Sequence, residues 1–404
     1  MPWIFVLLTG SLQAEVLTGI DVLEADRFRS LRGRRVGLIT NATGVNREGR
    51  RSLDILAAAP GVELVAAFSP EHGLTARSEE NDIPSGRDGR TGIPVFSLYG
   101  KTRRPTPEML RGIDTLVFDI QDVGARFYTY ITTLGYAMEA AARAKVRFVV
   151  LDRPNPISGL PVEGPLLDPE ARSFIAYFSM PVRHGMTVGE MARMFNEEQQ
   201  LGADLEVIAM EGWNRGDWHD STGLGWVNPS PNIRNLSQAT LYPGVGLLEF
   251  SNVSVGRGTD SPFELLGAPW IPASKMQASK LQATELQEIE LAAYLNRRSI
   301  PGVRFLPVRF TPSGSVFAGE ACQGVRILIT DRNALQPVAM GIEIASALHA
   351  LYPGQFRLDD IARSLGNRST LERIRNGDDP RQIARDWQEE NAAFLRMRNK
   401  YLLY

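Results

Sequence analysis

The chain has 404 residues, more than one hydrophobic core usually organises, so two domains are expected. Apolar residues make up 43%, charged residues 22%, and the net charge is -2. That balance belongs to a soluble globular protein and excludes a broad cationic surface, so nucleic acid is not an expected partner.

The N-terminus comes first in chain order. An apolar run from Trp3 to Leu8 precedes Ser11-Leu12-Gln13-Ala14. The run is too short to span a bilayer. It reads as a signal peptide, residues 1–14, cleaved after Ala14, although no Lys or Arg stands before Arg27. Export to the periplasm or the exterior is therefore expected, without stable membrane insertion.

Strands and helices then alternate. Strands are predicted at Arg35–Thr40, Glu63–Phe68, Ile93–Leu98, Thr115–Ile120, Arg147–Leu151 and Leu205–Ala209. Helices are predicted at Arg50–Ala59, from Thr106-Pro107-Glu108 onward, at Thr132–Lys145 and at Thr187–Gln200. Such alternation implies βαβ units and a largely parallel sheet. The strands are nearly continuous apolar runs, as required when helices cover both faces. This α/β domain is placed at residues 15–240.

From Glu211 to Pro243 the chain is rich in Trp, Gly, Asn and Pro and reads as a long loop. A second, smaller α+β domain is placed at residues 241–404, with strands at Val303–Pro307 and Gly324–Ile329. Its single cysteine, Cys322, excludes an internal disulfide and reads as a buried thiol. Ser369 with Glu372 reads as a capping box. Asp379-Pro380 reads as the start of a helix whose Ile383, Trp387 and Phe394 face the core.

In open α/β sheets ligands bind beyond the carboxyl ends of the strands. Polar clusters stand at four predicted strand ends. One is Thr40-Asn41-Ala42-Thr43-Gly44. Another is Ser69-Pro70-Glu71-His72-Gly73. A third is Gln121-Asp122-Val123-Gly124, with Arg126, Tyr128 and Tyr130 behind it. The fourth is Asp152-Arg153-Pro154-Asn155-Pro156. Parallel strands would bring all four to one rim. Carboxylates, cations, amides and aromatic rings together suit a polyhydroxylated ligand with an acidic substituent. Asp122 is the better placed partner for Glu71, because Asp119 falls within a strand; Asp152 is a candidate ion-pair partner of Arg153.

Other chemistries lack their signatures. The first strand is followed by ITNATGVN, not by G-x-G-x-x-G, and there is no P-loop or G-x-S-x-G elbow. No cofactor is expected. A zinc set of His72, His184 and Glu71 is conceivable, but no metal is expected. His349 lies in an apolar helix and reads as structural. Glu190 reads as the acid of a capping box with Thr187.

These residues sit in motifs that resemble the exo-β-N-acetylmuramidase (NamZ) family. The motifs are FSPEHG (Phe68–Gly73), FDIQDVGARFYTY (Phe118–Tyr130), LDRPNPISG (Leu151–Gly159) and VEGP (Val162–Pro165). They continue with RHGMTVGE (Arg183–Glu190), PSPNI (Pro229–Ile233), YPG (Tyr242–Gly244) and SVGRGTDSPFE (Ser254–Glu264). The resemblance implies a Rossmann-like N-terminal domain, a smaller auxiliary domain and an active site between them. It implies an exo-acting glycosidase that releases N-acetylmuramic acid from the non-reducing ends of peptidoglycan fragments. The family's proposed key glutamate falls on Glu71, and the motifs add Glu163, Arg183, His184, Asn232 and Arg257 as candidate substrate-binding residues. Where members of the family carry Glu-Gly-Thr-Asn ahead of the GRGT stretch, this chain reads Glu249-Phe250-Ser251-Asn252. Glu71 is thus expected as general acid/base, with His72 beside it and Asp122 either as the second group or as the residue that orients the 2-acetamido group for a substrate-assisted attack. Arg126, Arg153, Arg183 and Arg257 are the motif cations expected to include the one that meets the lactyl carboxylate. A non-catalytic exported sugar or cell-wall binding protein is the alternative.

Overall fold

A computed structural model describes residues 15–272 and 291–404 of the chain. The expected signal peptide, residues 1–14, lies outside the described residues. In chain order the first strands are β1 (Arg35–Thr40), β2 (Glu63–Ser69), β3 (Gly86–Arg87), β4 (Pro94–Ser97) and β5 (Thr115–Asp119). They are followed by β6 (Arg147–Leu151), β7 (Glu163–Leu166), β8 (Pro181–Arg183) and β9 (Leu205–Ile208). Seven of them form one sheet in the order β3-β4-β2-β1-β5-β6-β9. Every neighbouring pair in it is parallel except β3 with β4. The α/β reading of the first half is borne out.

Period-2 geometry explains the apolar runs. Leu38, Val117 and Val149 point to one face, where they pack with Leu23 and Leu53 of the helices Gly19–Ala25 and Ser52–Ala57. Ile39, Phe118 and Phe148 point to the other, with Leu134 and Phe195 of the helices Tyr130–Ala144 and Val188–Glu198. Strand β1 has β2 on one side and β5 on the other, so the order of connection reverses there. That is the topological switch point at which such sheets open a crevice.

In the second half, the long loop gives way to the helix Leu236–Val245, so residue 240 lies inside a helix. Strands β10 (Leu265–Ala268), β11 (Val303–Phe310) and β12 (Cys322–Ile329) form an antiparallel sheet in the order β10-β12-β11. Cys322 is buried. The helix Leu236–Val245 meets the helix Pro337–Leu351 through glycines on both. A Cβ on Gly244 would stand 1.9 Å from the Pro337 carbonyl oxygen, and one on Gly341 would stand 2.5 Å from that of Gly244. One hydrophobic cluster runs unbroken from the large sheet (Phe118, Val150) into this pair (Val245, Ile344).

Two helix starts differ from expectation. Residues 107–112 form turns rather than a helix. Gly112 adopts φ +78° and ends the coil after about one turn, so the nucleation cost is never recovered by propagation. The late helix is Arg368–Arg375, and Asn367 caps it by accepting from the Thr370 amide at 2.9 Å. Ser369 and Glu372 are already inside it, and Glu372 pairs with Arg368 instead. Asp379 does cap the helix Pro380–Asp386, and Thr187 with Glu190 does form a capping box. The pair β7–β8 carried too few alternating residues to be foreseen.

Candidate active site

Strand β2 delivers Glu71. Beyond Ser69 the chain turns through His72 (φ +68°) and Gly73 (φ +71°), two successive left-handed residues. Glycine adopts this freely, whereas for histidine it is a strained conformation that the surroundings must hold. They do so with amides of Arg77 and Ser78, which donate to the His72 carbonyl at 3.1 and 3.2 Å. The His72 ring is fixed as well: Nδ1 lies 2.7 Å from the Ser78 carbonyl oxygen. A carbonyl only accepts, so Nδ1 carries the proton.

The Glu71 carboxylate accepts from the Thr129 hydroxyl, and Tyr99 lines the same cleft. Tyr99 follows β4, and Thr129 lies just before the helix Tyr130–Ala144. Burial, reinforced by the neighbouring Glu71, pushes the Tyr99 hydroxyl up to about 12, so it serves as a neutral donor. Together these groups open onto a cleft of about 300 Å³, the lower end of ligand-pocket sizes.

A second carboxylate, Glu249, lines the same cleft from the C-terminal half. It accepts from Arg257 Nη1 at 2.6 Å. Burial raises its carboxyl above the ordinary value against the pull of Arg257, with Glu71 adding to the rise. Arg257 also donates to Glu79 at 2.9 Å, and Asn232 donates to Glu79 at 2.6 Å. Against the opposing effect of burial, those two bonds hold the Glu79 carboxyl below its ordinary value. The floor is aromatic. The Tyr242 ring lies 5.8 Å from that of Tyr128 and 4.8 Å from that of Phe263, edge to face in both cases. Burial raises both tyrosine hydroxyls well above their ordinary range, so they also stay neutral.

Of the residues expected at the site, Glu71, His72, Tyr128, Asn232 and Arg257 line this cleft. The rim does not hold one site as expected. Gln121, Asp122 and Arg153 line a different, smaller cavity of about 120 Å³ near the switch point. Asp122 is buried there, accepting from the Gly124 amide at 2.7 Å, with His184 Nε2 3.3 Å away. Its neighbour Gln121 donates to the carbonyls of Asp122 and Pro154. Asn41 folds back to accept from Thr43, and Tyr130 donates to the Pro229 carbonyl at 2.5 Å. Asn155 donates to the Met186 carbonyl, and Glu163 accepts from the Ala339 amide. Burial pushes Glu163 up to about 7.

Three of the four motif arginines are likewise committed to the fold. Arg126 is buried and donates to the carbonyls of Pro165, Met180 and Leu365 at 2.9, 2.7 and 2.5 Å. Burial lowers it to about 9. Arg183 donates to the Ile157 carbonyl and lies over the Trp218 ring. Arg153 makes a forked pair with Asp119 at 2.6 and 3.0 Å, whereas Asp152 accepts from Thr187, Gly189 and Tyr404 and receives only the Arg153 amide. Removing one member of a buried ion pair strands the other, at a cost of about 3–5 kcal/mol. Arg153→Met is therefore expected to lower the melting temperature sharply while leaving preference among sugar substrates unchanged. A changed preference with normal melting would assign Arg153 to the substrate.

Sequence reasoning missed Glu249, Tyr99, Thr129 and Glu79. Glu249 stood in a stretch noted only for its departure from the family pattern, and Thr129 stood inside the FYTY run. Tyr99 and Glu79 lie outside every motif. Among the described residues, no group of three or more His, Cys, Asp or Glu is placed to hold a metal ion. No described helix is long and apolar enough to cross a membrane.

Hydrolysis of a glycosidic bond is chemistry that two carboxylates in one open, aromatic-floored cleft are equipped to perform, and the class is that of glycoside hydrolases. Residues 36–237 match the family model described as exo-beta-N-acetylmuramidase NamZ, N-terminal, and residues 240–404 match its C-terminal counterpart. The peptidoglycan beta-N-acetylmuramidase NamZ of Bacillus subtilis (strain 168) is 44% identical over 394 residues, covering 96% of this chain and 92% of that protein. A crystal structure of a DUF1343 family protein from Bacteroides fragilis NCTC 9343 superposes with a TM-score of 0.86 at 40% identity, covering 96% of this chain and 99% of that one. A second from the same organism gives 0.76 at 29% identity, covering 97% and 99%. The chain belongs to the exo-β-N-acetylmuramidase NamZ family.

Proposed function

We propose that this chain hydrolyses the β-glycosidic bond of N-acetylmuramic acid at the non-reducing ends of peptidoglycan fragments, with Glu71 as general acid/base. The observation that carries the reading is the pairing of Glu71 with Glu249 in one cleft, within a chain of this family. Glu71 gives its proton to the leaving oxygen as the bond to C1 breaks. Water then adds to C1 and returns a proton to Glu71. Positive charge develops at C1 in between, and Glu249, ionised and held by Arg257, is the group placed to oppose it. Asp122, first expected in that role, stands in the other cavity. The test is incubation with a short peptidoglycan saccharide bearing muramic acid at its non-reducing end. Mass spectrometry should show free N-acetylmuramic acid and a chain shortened by one sugar. Binding of the saccharide without shortening would instead make this a sugar-binding protein.

Such a substrate lies outside the cytoplasm, which accords with the apolar run from Trp3 to Leu8 ahead of Ala14. Export with removal of residues 1–14 belongs to the same proposal. N-terminal sequencing of native protein should begin at Glu15; a start at Met1 would refute it.

A further inference from the structure

The lactyl carboxylate of muramic acid needs a cation, and most motif arginines are occupied elsewhere. Two other arginines line the cleft: Arg103, in the loop after β4, and Arg363, in the short helix Ala362–Leu365. We infer that Arg103 and Arg363 together form the clamp that receives the acidic substituent of the sugar and sets its preference for muramic acid. This rests on the proposed function and names how that site selects its substrate.

Three observations point to the pair. Neither guanidinium makes an ion pair or a hydrogen bond with any described residue, although both open onto a cleft that contains Glu71, Glu79 and Glu249. Each is laid across an aromatic ring of the cleft at the same distance: Arg103 lies 4.2 Å from the Phe174 ring centre, and Arg363 lies 4.2 Å from that of Phe250. Stacking fixes the plane of a guanidinium while leaving its N–H edge free for a carboxylate. Both also act electrostatically on Tyr99, which lines the cleft with Glu71. The two cations thus line the same cleft as Glu71 and Glu249, one from each half of the chain.

The fold holds Arg363 in place. Buried Arg126 donates to the carbonyls of Ser364 and Leu365, and the Ser364 hydroxyl donates to the Leu247 carbonyl at 2.6 Å. Arg126, in a motif of the first half, thus acts as a positioning residue for a cation in the second. Phe250 is among the few large apolar side chains left exposed, at 36%. It gives Arg363 its platform.

The test compares 4-nitrophenyl β-N-acetylmuramide with its analogue bearing a carboxamide in place of the lactyl carboxylate. The variants are Arg103→Gln, Arg363→Gln and the double change, all at exposed positions. A charge-assisted contact contributes about tenfold to a hundredfold in affinity, and solvent in an open cleft favours the lower figure. Each single variant should lose about tenfold in kcat/KM on the acid, chiefly through KM, and little on the amide. The double variant should treat the two substrates nearly alike. A wild-type preference retained in all three variants, or equal losses on both substrates, would overturn the clamp. Should the wild type hydrolyse neither substrate, the proposed activity fails separately. Calorimetric binding of N-acetylmuramic acid and its amide to the same variants then decides the clamp by the same ratio.

Discussion

Glu71→Gln is expected to abolish most turnover while leaving the fold intact. The change keeps the side chain's shape and one acceptor oxygen for Thr129, but removes the ionisable group. Loss of a general acid or base lowers turnover by about 10²–10⁴-fold. Loss of a carboxylate that merely satisfied a turn would cost about 1 kcal/mol in stability and little in rate. The melting temperature should therefore stay near normal, with muramic-acid sugars still bound. Leaving-group dependence separates the roles. 4-Nitrophenol departs with little help from a proton, so a sugar aglycone should suffer the greater loss. Equal losses on both would instead assign Glu71 to electrostatic stabilisation or nucleophilic attack.

The second large effect is expected at Glu249. Its carboxyl is raised above the ordinary value by burial, and it must be ionised to oppose charge at C1. As pH falls through that raised value the carboxylate takes up a proton, and turnover should fall with it. The acid limb of the pH–rate profile should thus lie above the ordinary glutamate range. Glu249→Gln removes a preorganised charge, worth on the order of 10²-fold in turnover, and should flatten that limb. A variant within a few-fold of wild type, with the limb retained, would exclude Glu249 from the reaction.

The parallel sheet was legible because both faces of β1, β5 and β6 are covered, and uninterrupted apolar runs are the imprint of that burial. The position of Glu71 was legible for a related reason: polar residues that end a buried strand must face a rim. What could not be read is which polar residues meet. Arg126 and Arg257 look equivalent as motif cations, yet one is enclosed by carbonyls and the other lines the cleft. A buried guanidinium needed to tie loops together leaves the same trace in the sequence as one that holds substrate. Tyr99, Glu249 and Arg363 are separated by 150 residues and then by 114 more, and no local pattern links them. Tertiary packing brings the last two to the cleft: Glu249 follows the helix Leu236–Val245, and the bonds of Arg126 and Ser364 hold the short helix that carries Arg363. The helix expected at Thr106 shows a limit of another kind, since its start signals were sound but Gly112 left no length for a helix to propagate.

The most direct test of the account is release of 4-nitrophenol from 4-nitrophenyl β-N-acetylmuramide by the wild-type protein, beside Glu71→Gln prepared identically. Steady turnover by the wild type, reduced at least a hundredfold in the folded variant, is the expected result. Thermal stabilisation of both proteins by muramic-acid saccharides, with no 4-nitrophenol released by either, would contradict it and leave a binding protein in place of an enzyme.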